Sequence, residues 1–314
     1  MRRTVLACLF TLLVLSMNGR TIVSQNRLPE FDSLKLKVVP EKTSILLGEP
    51  LVLKVKLANP TLSSIATHRT IDPGYGTIQV YFSRPGGELR RYLGPSWGTG
   101  EQAPAVTQLA PSESVYGELT VLFNTTIPGR DDLHGEPTPI NEPGTYQVVV
   151  EFYDVRFQHK IVAPRFEVQV SSPTGKAEQA YWQEVQADPN LAYFLQTGSL
   201  RRGQNVVKKV EQLMSEHPGA VHQKHAALAL GKYYLKNVDP IRAIDYLKEA
   251  AESAPKSYLR AQALVALAKS YAQLGQFDEA LRISDAAVEE FTLTGAQQNF
   301  IQLGTKLRKA LSSN

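Results

Sequence analysis

The chain has 314 residues, of which 43% are hydrophobic and 20% charged, values that support folded cores and exclude a low-complexity or disordered protein. That length fits two domains of typical size. The formal charge of +4 falls to +1 when Arg2, Arg3 and Arg20 are set aside with the N-terminal segment, and no Lys/Arg block is interleaved with aromatics, which argues against a nucleic-acid partner.

Arg2 and Arg3 precede an apolar run from Val5 to Met17, followed by a polar stretch with a small-residue cleavage point at Ser24. This order reads as an export signal over residues 1–24 and predicts an exported protein, periplasmic or extracellular. The run is shorter than the roughly 20 residues a spanning helix needs, so no membrane span is expected after cleavage. The only cysteine, Cys8, sits inside the signal. The apolar run continues beyond Cys8, against a lipidation box, and the exported chain then has no disulfide to stabilise it.

Residues 30–171 read as strands. Leu34, Leu36 and Val38 alternate with Lys35 and Lys37, and Leu51, Leu53, Val55 and Leu57 alternate with Val52, Lys54 and Lys56. Period two with a polar opposite face means strands covered on one side. Ile78, Val80 and Phe82 continue the pattern, a strand is expected over 114–123, and the clearest pair is Tyr146 to Phe152 with Phe166 to Val170. Strands separated by Gly/Pro turns predict an antiparallel sandwich. Leu47-Gly48-Glu49-Pro50, leading to Asn59-Pro60, resembles the second strand of many bacterial immunoglobulin-like or fibronectin-like modules. Pro143-Gly144-Thr145-Tyr146 resembles their tyrosine corner, where the phenol bonds nearby backbone. The resemblance implies an architecture and no particular function.

Three loop features in this region could carry chemistry. Trp97, in Gly94-Pro95-Ser96-Trp97-Gly98, is a possible loop contact for a sugar ring or a peptide, although packing against the sandwich edge explains it more simply. Asp131, Asp132, His134 and Glu136 crowd one loop without the spacing of a calcium or zinc site, so a solvated acidic loop is expected and no metal is assigned. Asn124-Thr125-Thr126 matches a glycosylation acceptor too short to weigh.

Ser171-Ser172-Pro173-Thr174-Gly175 ends the strand pattern, and 172–176 reads as a linker with hinge composition. Helix formers dominate over 177–314, opening with Ala180, Trp182 and Val185 as a buried face. Leu230-Gly231-Lys232-Tyr233-Tyr234 is followed by Ala243, Leu247, Ala250 and Pro255. Leu267-Ala268-Lys269-Ser270-Tyr271 is followed by Gly275, Ala280 and Ala287. These two copies, over 224–255 and 261–292, resemble the tetratricopeptide repeat. That resemblance implies stacked helix-turn-helix units with a concave binding face and no catalytic role. Val206, Val210 and Leu213 mark a degenerate preceding unit, so 177–216 is expected to cap one end and the helix 297–311 the other.

In this family the first helix of each repeat lines the concave face. The resemblance therefore selects His225, Leu228, Lys232, Leu235 and Lys236 from one copy, and Gln262, Val265, Lys269, Ala272 and Gln273 from the next. Lys232 and Lys269 share a repeat position, and such a basic stripe suits an acidic peptide or a chain-terminal carboxylate. His217, His222 and His225 cluster near a helix start without the pattern of a metal site.

The sequence contains no nucleophile elbow, no phosphate-binding glycine loop and no helical zinc pair, and it implies no cofactor. The expected function is an exported, non-catalytic adaptor that binds a protein or peptide partner through the helical groove. A carbohydrate-binding or peptidase-inhibiting sandwich is the alternative, and an unrecognised hydrolase the second.

Overall fold

The computed structural model describes residues 31–95, 104–125, 138–201, 205–254, 256–292 and 294–313. The export signal, Trp97, the acidic loop at Asp131–Glu136, Thr126 and Pro255 lie outside the described residues.

The N-terminal part is a sandwich of β-sheets. One sheet has three strands, with β3 (Leu51–Ala58) between β1 (Lys35–Pro40) and β8 (Ser114–Val121). The other runs β2 (Ser44–Leu46), β11 (Phe166–Ser171), β9 (Gly144–Tyr153), β5 (Ile78–Ser83), β6 (Arg90–Tyr92), with β10 (Lys160–Val162) also on β9. A small pair joins β4 (Ile65–His68) to β7 (Val106–Leu109). Two sheets face each other across an immunoglobulin-like core of Leu53, Leu57, Ile78, Val80, Val148, Phe152 and Val168. The tyrosine corner is present: the Tyr146 hydroxyl donates to the Glu142 carbonyl at 3.0 Å. The short strands β2, β4, β6, β7 and β10 escaped the sequence reading because three or four residues carry too little alternation to register.

Eight helices follow among the described residues: α1 (Lys176–Ala187), α2 (Pro189–Thr197), α3 (Asn205–Glu216), α4 (Gln223–Lys236), α5 (Pro240–Glu252), α6 (Tyr258–Gln273), α7 (Phe277–Glu290) and α8 (Gly295–Ser313). Their starts are legible in the chain. Asp188 and Asp239 each precede a proline at the first helical position and accept a backbone N–H from Asn190 and Arg242, while Ser257 accepts one from Arg260. The buried face of α1 is Tyr181, Trp182 and Val185; Ala180 is only half-buried, because the larger ring takes the inward position. Gly231 explains the close approach within the first matched repeat. A Cβ there would sit 2.5 Å from Leu247 Cγ, so α4 and α5 pack at a separation only glycine permits.

The connection at 172–175 has the composition of a hinge, yet it joins two parts whose buried apolar residues form one continuous cluster from Phe31 to Leu307. Polar contacts fix the seam. The Gln196 side chain of α2 accepts the backbone N–H groups of Leu122 and Phe123 at 3.0 and 2.6 Å, and donates to the Tyr92 hydroxyl and the Thr120 carbonyl at 2.7 and 2.8 Å. It caps the end of β8, satisfying the Leu122 and Phe123 N–H groups that burial would otherwise leave without partners. His222 Nε2 lies 3.0 Å from the Leu47 carbonyl, its ring stacked on Tyr181, with Gly48 (φ +81°) packed against it and Trp182.

Two carboxylates from the sandwich cap helices of the array. Glu41 Oε1 accepts the Tyr258 N–H at 2.9 Å at the start of α6, and Glu118 Oε1 accepts the Gly295 N–H at 3.0 Å at the start of α8. Each places negative charge at the positive end of a helix dipole and occupies an otherwise unpaired donor. Gly295 is required by this contact, since a Cβ would meet Glu118 Oε2 at 2.5 Å and the Tyr116 carbonyl oxygen at 2.9 Å.

Candidate partner-binding groove

Helices α4 and α6, the first helices of the two matched repeats, and α8 enclose a groove of ≈ 700 Å³. Leu235, Val265 and Ala272 with the small residues Ala261, Ala266 and Ala296 make an apolar lining; Lys232, Lys236, Lys269, Gln262, Gln273 and Asn299 supply the polar groups. Apolar walls with a few convergent polar groups are the usual make-up of a ligand-binding concavity. Ala261, Ala266, Ala272 and Ala296 are short side chains and leave room between the helices.

Of the concave-face residues selected by sequence, the structure brings Lys232, Leu235, Lys236, Gln262, Val265, Lys269, Ala272 and Gln273 around this one groove. Two do not belong to it. His225 is 9% exposed and lines a separate ≈ 220 Å³ cavity with Glu49, Val52 and Leu259, and Leu228 is buried in the continuous core. For His225 the reason is the sandwich: the segment from Glu41 to Val52 lies over the first turn of α4, which an isolated repeat would leave open. Tyr258, Ala296 and Asn299 also line the groove and were missed, Tyr258 because it opens α6 ahead of the matched pattern and the other two because α8 was read only as a cap.

The groove is one-signed. Its lining holds three lysines and no acidic residue, and none of Lys232, Lys236 and Lys269 forms an ion pair among the described residues. The Lys232 ammonium contacts Gln262 Oε1, a neutral acceptor. Burial, together with the neighbouring charge of Lys269, lowers Lys232 to about 8. Tyr258, beside it, is pushed up to about 12, chiefly by burial and then by the Glu118 carboxylate. A half-buried cation with another cation nearby and no counter-charge is an arrangement that an incoming anion stabilises.

The histidines near the start of α4 serve the seam. His222 and His225 are both held below the ordinary imidazole value by burial, His225 strongly so, with Lys224 adding to the effect there. Neither His222 Nδ1 nor His225 Nε2 has a hydrogen-bond partner among the described residues.

Comparison with known proteins agrees with this helical geometry. The family described as "Tetratricopeptide repeat-like domain" matches residues 172–296, in the C-terminal half of the chain, preceded by the β-sandwich. No curated protein sequence matches the chain. Among solved structures, a mutant β-glucosidase from Listeria innocua in complex with laminaribiose is 19% identical over 44% of this chain and 16% of its own, with a TM-score of 0.25. The β-glucosidase EmGH1 from Erythrobacter marinus is 14% identical over 44% of this chain and 15% of its own, with a TM-score of 0.25. The CARDB domain of the PF1109 protein from Pyrococcus furiosus is 14% identical over 46% of this chain and 97% of its own, also at 0.25. The chain thus spans about a sixth of the glucosidases, and scores this low carry no argument about activity.

Proposed function

We propose that the protein is an exported, non-catalytic adaptor whose helical groove receives an acidic segment of a partner protein. The observation that supports this most directly is the groove's charge: Lys232, Lys236 and Lys269 line an apolar concavity that contains no carboxylate. A peptide carrying Asp or Glu places its charge against Lys232 and Lys269, and its apolar side chains against the alanine-rich lining. The basic start and apolar run at residues 2–17 support export. No helix among the described residues is long and apolar enough to cross a membrane.

The test is binding of a labelled acidic peptide to the full chain, followed by fluorescence anisotropy. The charge-reversed double variant Lys232→Glu, Lys269→Glu is expected to lose at least about a hundredfold in affinity, at about tenfold or more for each reversed contact. Equal affinity for acidic and basic peptides would sink the proposal.

A further inference from the structure

The groove does not end at its own lining. Tyr258, which lines it, donates its N–H to Glu41, and Glu41 pairs with Lys54 at 3.0 Å. Ala296, which also lines it, follows Gly295, whose N–H is bound by Glu118, the direct cross-strand partner of Lys54. The groove therefore opens onto the outer face of the three-stranded sheet.

That face is basic. On β3, Lys54 and Lys56 point away from the core; on β1, Lys35 and Lys37 do the same, and Lys37 lies directly opposite Lys56 in the register. Lys35 and Lys37 are exposed, and neither they nor Lys56 forms an ion pair among the described residues. Lys56 lies over the Tyr116 ring at 5.4 Å, which leaves its charge uncompensated. The two acidic groups on the path are already engaged. Glu41 is held by Lys54 and the start of α6, and Glu118 by the start of α8, so each carboxylate has a local positive partner. At the other end of the same strand face, Val52 is 8% exposed and shares the seam cavity with Lys224 and Leu259, so the helices cover one end of the sheet and leave the lysine end open.

From this continuity we infer that the two parts of the chain form one composite docking surface. A single extended acidic segment of a partner protein runs from the helical groove across the capped starts of α6 and α8 onto the Lys54, Lys56, Lys37 and Lys35 face. The inference rests on the groove reading and extends it: the sandwich is half of the binding site, and the seam holds the two halves in register. A chain whose formal charge falls to +1 without its first three arginines concentrates seven lysines on one path, all but Lys54 without an ion pair among the described residues. Such a path attracts and orients an extended polyanion, and its pull weakens as salt rises.

The experiment uses the full chain and two labelled poly-glutamate peptides, one long enough to fill only the groove and one several times longer. The long peptide is expected to bind at least about tenfold tighter than the short one at low salt, with a steeper salt dependence. Lys35→Glu with Lys37→Glu, both exposed and away from the core, is expected to remove that advantage while leaving the short peptide's affinity unchanged. Equal affinities for the two peptides, or no effect of the sheet variants, would overturn the composite surface and leave the groove reading intact. Failure of both peptides to bind would overturn both readings. A single-stranded oligonucleotide that outcompetes the long peptide would assign the surface to nucleic acid and overturn the protein partner.

Discussion

Helices α4 and α6 occupy the same place in consecutive repeats, and their residues correspond at a spacing of 37 from Tyr234 to Tyr271. Yet His225, at the start of α4, is sealed against the sandwich, while its counterpart Gln262 lines an open groove and accepts from Lys232. Leu228 is core where Val265 is lining, and Lys232 is half-buried where Lys269 is exposed. Repeat position sets which way a side chain points. What it meets there depends on a domain that the repeat pattern does not contain.

The largest expected effect comes from opening the closed half. Gln196→Leu leaves the Leu122 and Phe123 N–H groups without their acceptor, while the Tyr92 hydroxyl keeps its bond to the Thr120 carbonyl. At about 1–3 kcal/mol for a buried polar group left unsatisfied, with partial relaxation, a loss of about 3 kcal/mol is expected by urea denaturation. A change below about 0.5 kcal/mol would mean the seam does not depend on this amide.

Acid should act on the same half. Burial holds His222 and His225 neutral in the folded chain, so as pH falls through about 6.5 the unfolded chain takes up protons first. Their contribution to stability is complete above that value and is lost progressively below it. His225→Leu, which also removes an unpartnered buried nitrogen, is expected to leave stability near neutral pH unchanged or raised by about 1 kcal/mol and to flatten the acid limb. Denaturation midpoints measured from neutral to mildly acidic pH decide this, and a limb as steep as in the parent would show that His225 is not its source.

A smaller change separates the turns of the two repeats. Val238 closes the α4–α5 turn at φ 62° and is 80% exposed, whereas Gly275 closes the next turn at φ 73°. Left-handed backbone is costly for a β-branched residue, so Val238→Gly is expected to stabilise by about 1 kcal/mol and Gly275→Val to cost about as much. Equal and opposite shifts in melting temperature would confirm the correspondence.

On the open half, peptide affinity should fall severalfold as pH rises through about 8, where Lys232 loses its proton. Lys269→Gln should raise that midpoint by removing the neighbouring charge, readable by NMR titration of the Lys232 ammonium. An unmoved midpoint would mean the two lysines do not sense each other.

Much of this architecture was legible in the chain. Alternation located β1, β3, β5, β9 and β11, Pro143-Gly144-Thr145-Tyr146 announced the tyrosine corner, and the alanine, glycine and leucine positions of the repeats placed α4 to α7. These signals are local, since each arises from residues two, three or four apart on one element. The concave-face selection followed from the same periodicity, and it gathered the lysines, glutamines and apolar residues that surround the groove.

What periodicity cannot carry is contact between residues far apart in the chain. Glu41 capping Tyr258, Glu118 capping Gly295 and Gln196 capping the end of β8 join positions separated by 217, 177 and about 75 residues, and each involves a common polar side chain with no distinguishing neighbour. The sequence by itself determined two folded parts, their architectures and the direction of the repeat lysines, because those follow from backbone periods and side-chain size. Only the tertiary structure decided that the parts share one core, that His225 and Leu228 are sealed while Lys232 and Lys269 stay available, and that the groove opens onto a lysine-lined sheet. Burial and charge compensation depend on what packs against each residue, and here that neighbour comes from the other end of the chain.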